Sequence, residues 1–190
     1  MNFTPIAGLR VSVRDFSEKD LAEFARYRAL PEVARYQSWE RFGLEDARRL
    51  YAAQQTVTFG TPGSWHQVAI TDKRDDSLLG DCALHFLEDG RQMEIGFTLA
   101  PAHQGRGLAR EAVGLLLGHV FGPMQRHRVI AVTDAENLPA QKLLTALGFR
   151  KEAHYLKNVF FKGRWEDECL FAQLASEWEL KNPPIRNRAP

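Results

Sequence analysis

Cysteine is scarce in this sequence. Cys82 and Cys169 are the only two, with no CxxC spacing and no compact His/Cys cluster around either. A disulfide framework and a zinc site are therefore not expected, and two reduced thiols in a cytoplasm fit better. Long apolar runs are missing as well. No stretch approaches the roughly 18 consecutive apolar residues of a membrane span, and no basic start followed by a long apolar run opens the chain, so neither a membrane nor export is expected. Nor is there a surplus of one charge. Lys and Arg number 25 against 24 Asp and Glu, a formal net charge of +1. That gives no global field for nucleic acid, although a local Arg cluster can still meet phosphates. Internal repeats are absent. What 190 residues with 44% apolar content do supply is enough for one good core and too little for two comfortable domains.

Periodicity divides the chain. Leu9, Val11 and Val13 alternate with Arg10, Ser12 and Arg14, which predicts a strand with one buried face. Ser17 with Asp20 resembles a capping box, ahead of an amphipathic helix through Leu21, Phe24 and Ala25 that stops near Pro31. Leu44, Ala47, Leu50 and Tyr51 mark a second helix before the break at Gly60 to Gly63. Three strands follow, Trp65–Thr71, Leu78–Phe86 and Gln92–Leu99, reading as an antiparallel meander. Leu108 to Phe121 is apolar nearly all round, the pattern of a heavily buried helix. Val129–Thr133 is a short buried strand, and Pro139–Leu147 a helix closed by Gly148. Lys151–Phe161 and Arg164–Leu174 flank a Lys162-Gly163 turn as a hairpin. The stretch 180–190 is expected to be a flexible tail behind a domain spanning 9–179.

The run Gln104-Gly105-Arg106-Gly107-Leu108-Ala109 lies between a predicted strand and a predicted helix. A helix start offers unpaired N–H groups and the positive end of the helix dipole, and glycines let a phosphate come close. An anion site is one reading; a tight strand-to-helix turn is the other. A Rossmann fingerprint would need glycine where Arg110 stands, and a P-loop would need a Gly-Lys-Ser/Thr ending that is absent.

The segment from Glu94 to Ala109, EIGFTLAPAHQGRGLA, resembles the cofactor-binding motif of the GNAT superfamily, Gln/Arg-x-x-Gly-x-Gly/Ala after a strand, with Gln104, Gly107 and Ala109 filling it. Asn137-Leu138-Pro139-Ala140 and Leu147-Gly148-Phe149 resemble the family's second half. Gly163-Arg164-Trp165-Glu166-Asp167 with Glu177-Trp178 is similar to its RimJ/RimL branch, which acetylates protein N-terminal amines. The resemblance implies an α/β (α+β) fold: a mixed, mostly antiparallel twisted sheet of six to seven strands flanked by about four helices. It also implies an N-acetyltransferase using acetyl-CoA as co-substrate and no metal.

Carried onto this sequence, the resemblance puts the pyrophosphate on the N–H groups of Gly105, Arg106, Gly107, Leu108 and Ala109. Arg106 and Arg110 could add charge or simply sit on the surface. The pantetheine arm would pair with the edge of Phe97, Thr98 and Leu99, and Asn137 would hold it, cap a helix, or do both. Glu94 is the candidate base for the acceptor's ammonium, its alternative being an ion pair or solvent. The six histidines are read as structural or exposed. Two departures concern the general acid: Leu144 stands where the family often has Tyr, and Ala140 where the branch often has Ser. A CoA thiol can leave as thiolate without them, and Tyr155 or Cys82 stays open as a substitute. Tyr36 and Trp39 are candidates for the acceptor wall. The first acceptor reading is a protein N-terminal amine of the ribosomal-protein type; the alternative is a small amine such as a polyamine, amino acid or aminoglycoside. A CoA-binding regulatory protein without turnover is the rival from another class, and a homodimer through the exposed hairpin is compatible with the sequence.

Overall fold

The computed structural model describes residues 3–182. Val11 and Val13 do form the buried face of a strand, but Leu9 is 89% exposed. The chain first makes a two-residue strand, β1 (Ile6–Ala7), then turns sharply, Gly8 N–H donating to Val11 O, before β2 (Val11–Asp15) begins. Leu9 therefore sits at the tip of a turn, outside the alternation that included it. Asp20 accepts from Ser17 N–H at 2.8 Å, as a capping residue should, and α1 (Leu21–Arg28) follows. Pro31 ends nothing by itself: it stands at the start of a four-residue helix, α2 (Pro31–Ala34), where its missing N–H costs no bond. Next come α3 (Leu44–Gln55), β3 (Trp65–Asp72), β4 (Leu78–Phe86), β5 (Gln92–Leu99) and α4 (Leu108–Phe121). The second half is β6 (Arg128–Asp134), α5 (Leu138–Leu147), β7 (Arg150–Phe161), β8 (Arg164–Leu174) and α6 (Ala175–Lys181).

The strands form one sheet in the order β1-β2-β3-β4-β5-β6-β8-β7. Every pairing is antiparallel except β5 with β6. The mixed, mostly antiparallel class agrees with expectation. The count of eight strands exceeds it through β1, and six helices exceed it through the short α2 and α6. Outside the expected 9–179, Phe3 is 3% exposed within the core and the last residues of α6 run to Lys181. Most of the expected tail, 183–190, lies outside the described residues.

One face of the sheet buries Val68, Ile70, Leu84 and Ile95 against Ala112 and Leu116 of α4. On the other, Phe16, Phe24, Tyr27 and Ala47 from the α1 and α3 region pack onto Ala69 and Leu78. What positions the site is a break between them. β5 and β6 pair only at Gln92↔Arg128, Met93↔Val129 and Glu94↔Ile130. Beyond Glu94 the two strands part, while β5 stays bonded to β4 as far as Leu99↔Gly80. The β6-facing edge of Ile95 to Leu99 is thus left without a strand partner among the described residues.

Candidate active site

At the end of β5 the chain makes a single 3-10 turn (Pro101–His103), and Gln104 folds back so that its Nε2 donates to Leu99 O at 2.9 Å. Gly105 and Gly107 then take φ of +71° and +76°, a left-handed conformation that L side chains adopt only with strain. Gly107 caps α4 without any side-chain acceptor, and the first main-chain bond of the helix runs from Glu111 N–H to Gly107 O. The N–H groups of Gly105 to Arg110 have no hydrogen-bond acceptor among the described residues. They face outward as a row of free donors at the positive end of a 14-residue helix. A Cβ added at Gly105 would meet nothing within 4 Å, so the space in front of the turn is open.

The turn is braced from behind. Arg10, just before β2, donates from Nη1 to Arg106 O at 2.9 Å and from Nε to Glu111 Oε2 at 2.8 Å, while Glu111 Oε1 accepts Arg10 N–H at 2.7 Å. Sequence reasoning missed this brace because its partners are about a hundred residues apart. A Cβ at Gly107 would lie 3.5 Å from Arg10 Nη2. Gly107→Val is accordingly expected to strain the turn and push its N–H row out of line. Calorimetry should read at least a tenfold loss of acetyl-CoA affinity, about 1.4 kcal/mol; equal affinity in a folded variant would remove the cradle.

Two cavities meet along the split. The larger, about 640 Å³, is lined by Thr98, Leu99, Gln104, Gly105 and Gly107, with Ala109 and Arg110 from the first turn of α4. The smaller, about 230 Å³, lies between Ile95 and Gly96 of β5 and Ala131 to Asp134 of β6. Tyr36, Phe97 and Asn137 line both. The sequence-predicted residues therefore converge, with four exceptions. Glu94 lines neither cavity, although Ile95 and Gly96 next to it line the smaller one. The Leu108 side chain is buried in the core, leaving only its N–H to the turn. Arg106 lines neither cavity and contributes its carbonyl to Arg10. Trp39 also lines neither; its Nε1 donates to Arg28 O at 3.1 Å and its ring lies 4.3 Å from the Arg28 guanidinium. Asn137 caps α5, accepting Ala140 N–H at 3.2 Å, while still facing the split.

Glu94 is the last residue of β5 paired with β6. Its Oε2 lies 3.7 Å from Nδ1 of His85, its register partner on β4. Burial pushes its carboxyl above the usual carboxylate range; His85 pulls the other way, and the charge of Glu168 adds to the rise. Asp134, Glu166 and Glu168 line the smaller cavity. Glu166 is paired with Arg164, and Glu168 accepts Asn158 Nδ2 at 2.6 Å. The period-2 spacing of Glu166 and Glu168 on one strand was the available signal for this wall. Ala140 and Leu144 line the same cavity, so no hydroxyl stands at either position. The two substitutes do not fill the gap: Tyr155 lines neither cavity, and Cys82 is buried in the core, where burial pushes its thiol up. Among the described residues no group of His, Cys, Asp and Glu could hold a metal ion, and no helix is long and apolar enough to cross a membrane.

Residues 10–150 match the family model of the acetyltransferase (GNAT) domain. The chain is 31% identical over 172 residues to the uncharacterized N-acetyltransferase p20 of Bacillus licheniformis, covering 89% of this chain and 95% of that protein. The chain belongs to the GNAT acetyltransferase family. This GNAT chain is also 29% identical over 84 residues to the Escherichia coli enzyme named for alanine N-acetylation of ribosomal protein uS5, covering 44% of this chain and 43% of that one. The fold is shared with the crystal structure of spermidine N-acetyltransferase from Vibrio cholerae in complex with CoA and spermine. That likeness has a TM-score of 0.78 at 22% identity and covers 89% and 98% of the two chains. The chain is an acyltransferase, of the N-acetyltransferase type.

Proposed function

We propose that this chain transfers the acetyl group of acetyl-CoA to a primary amine by direct attack within a ternary complex. The observation that carries the reading is the split between β5 and β6, which leads from a free strand edge at one end to the row of free N–H groups at the other. Acetyl-CoA supplies an activated acyl group. The chain's own residues supply the rest: the N–H groups of Gly105 to Ala109 for the pyrophosphate, Arg110 for added positive charge, and the edge of Phe97 to Leu99 for the pantetheine amides. Main-chain N–H groups near Leu99 would stabilise charge on the acetyl oxygen. Glu94 takes a proton from the acceptor's ammonium, directly or through water, leaving the nitrogen lone pair free to attack.

The acceptor favoured by the lining is a small amine carrying more than one positive charge. Asp134, Glu166 and Glu168 line the smaller cavity, Glu94 directly precedes its lining residue Ile95 on β5, and among the described residues only Glu166 of the three is paired with a cation. A protein N-terminus is the second reading, supported by an open groove of about 600 Å³ that continues past Tyr36, Phe161 and Glu166. Titration calorimetry with acetyl-CoA, against dephospho-CoA and NAD, tests the donor. Acetyl transfer to spermidine and to a short peptide with a free N-terminus tests the acceptor. Saturable binding of acetyl-CoA and faster transfer to spermidine are expected. Faster transfer to the peptide would favour the second reading, and binding without turnover on any amine would favour a non-catalytic CoA-binding protein.

A further inference from the structure

Three strands bring Trp65, His85 and Glu94 into one row across the sheet, Trp65↔His85 and His85↔Glu94 being direct register partners. The arrangement is closer than register alone requires. The indole of Trp65 lies flat on the His85 ring, with centroids 4.4 Å apart and an interplanar angle of 4°. His85 Nδ1 points at Glu94 Oε2 from 3.7 Å, is buried, and has no hydrogen-bond partner among the described residues. Both side chains are largely covered, His85 at 24% and Glu94 at 28% exposure. A buried ring nitrogen without a partner, facing a carboxylate across a gap that a small rotation would close, is an unfinished hydrogen bond.

We infer that His85 is the positioning partner and proton outlet of Glu94, so that Glu94 and His85 act together as the base. This rests on the reading of the chain as an amine acetyltransferase with Glu94 as first acceptor of the proton. When the acceptor's N–H bond breaks, its electron pair stays on nitrogen and the proton forms an O–H bond on Glu94. The proton then passes to His85 Nδ1, restoring the carboxylate and leaving an imidazolium beside it. Loss of the Nε2 proton to water, followed by return of the ring to its Nε2–H tautomer through solvent exchange, resets the pair. Each part of the row serves that sequence. The carboxylate stabilises the imidazolium by charge, and the face of Trp65 stabilises it by cation–π attraction while keeping water from that side of the ring. The other charged group bearing on Glu94 is Glu168 of β8, which adds negative potential; Asp81, also on β4, is bound to Arg28. Without an outlet, a proton held by a half-buried carboxylate beside Glu168 would be returned slowly, and each turnover would wait for it.

The experiment is a pair of variants read by pH profile and by nuclear magnetic resonance of the imidazole. His85→Asn is expected to lower kcat by about 10²-fold, the low end of the range for a lost acid–base group, with KM for acetyl-CoA unchanged. Because His85 pulls the Glu94 carboxyl downward, its loss should move the acidic limb of kcat/KM to higher pH. In Glu94→Gln the imidazole nitrogen and ring-proton resonances of His85 should shift from their wild-type positions, since the carboxylate that faces Nδ1 from 3.7 Å is gone. This second readout needs no turnover and stands even if His85→Asn fails to fold. Unchanged kcat and limb in a folded His85→Asn, or unmoved His85 imidazole resonances in Glu94→Gln, would overturn the pairing while leaving the acetyltransferase reading intact. Absence of transfer by the wild type would instead overturn that reading.

Discussion

Glu94→Gln should lower acetyl transfer by about 10²–10⁴-fold, the range expected for removing a general base, with acetyl-CoA affinity nearly unchanged. The second half of that expectation follows from geometry. Glu94 lies at the base of the split where β5 and β6 are still paired, whereas the free N–H groups that meet the pyrophosphate begin eleven residues later, at Gly105. The variant should also be more stable than the wild type at neutral pH. Burial raises the Glu94 carboxyl in the folded protein above its unfolded value, so folding favours its protonated form. The stability contributed by that preference is fully present below the unfolded value near pH 4.5 and is lost as pH rises through the folded one. At neutral pH the charged carboxylate is a cost that glutamine does not carry. Urea titrations of both proteins at neutral pH and at pH 4 check the sign: the gap should shrink at the lower pH. A Glu94→Gln enzyme of wild-type rate and pH profile would move the base elsewhere.

That site was partly readable beforehand, for a physical reason. The glycine-rich turn, the strand before it and α4 after it are consecutive, and local chemistry fixes each: positive φ at Gly105 and Gly107, alternation in β5, and a helix apolar nearly all round. The boundaries of β4, β5, α4 and β8 agree with periodicity because nothing in the tertiary structure competes there. Where distant contacts decide, local pattern says less. Leu9 fits an alternation that the Gly8 turn interrupts. The insertion of β8 between β6 and β7 has no trace in the order of the chain. Asp134 and Glu168 face one cavity only because β6 and β8 pair at Asp134↔Glu168. The row through His85 was closer to reach. A short turn between β4 and β5 that sets Phe86 opposite Met93 necessarily sets His85 opposite Glu94, but the stacked Trp65 and the parting of β5 from β6 required the whole sheet. Trp39 shows the opposite error: an aromatic ring placed near the cleft by position in the chain was drawn aside by a buried arginine.

That arginine sets the largest expected effect on stability. Asp81 is 1% exposed and takes hydrogen bonds from Tyr27 Oη and Gln67 Nε2 and a 2.7 Å ion pair from Arg28 Nη2. Burial, and then the charge of Asp81, push the Tyr27 phenol well above its ordinary value, so it remains a donor. The Arg28 guanidinium is enclosed by Phe24 and Trp39, each ring centre 4.3 Å away. Asp81→Ala would strand a buried cation, a phenol and an amide together, and breaking such a pair from one side typically costs about 3–5 kcal/mol. In urea the midpoint should fall with the slope unchanged. The loss should be smaller in Asp81→Leu combined with Arg28→Met, because no charge is then left without its partner. The effect should reach the site as well. α1, held down by Arg28, leads through α2 to Tyr36, which lines both cavities. Loosening α1 should therefore raise KM for the amine more than KM for acetyl-CoA, whose turn is braced separately by Arg10 and Glu111. A cost below about 1 kcal/mol, the level of an exposed ion pair, would mean that water reaches Arg28 and that the aromatic enclosure alone anchors the helix.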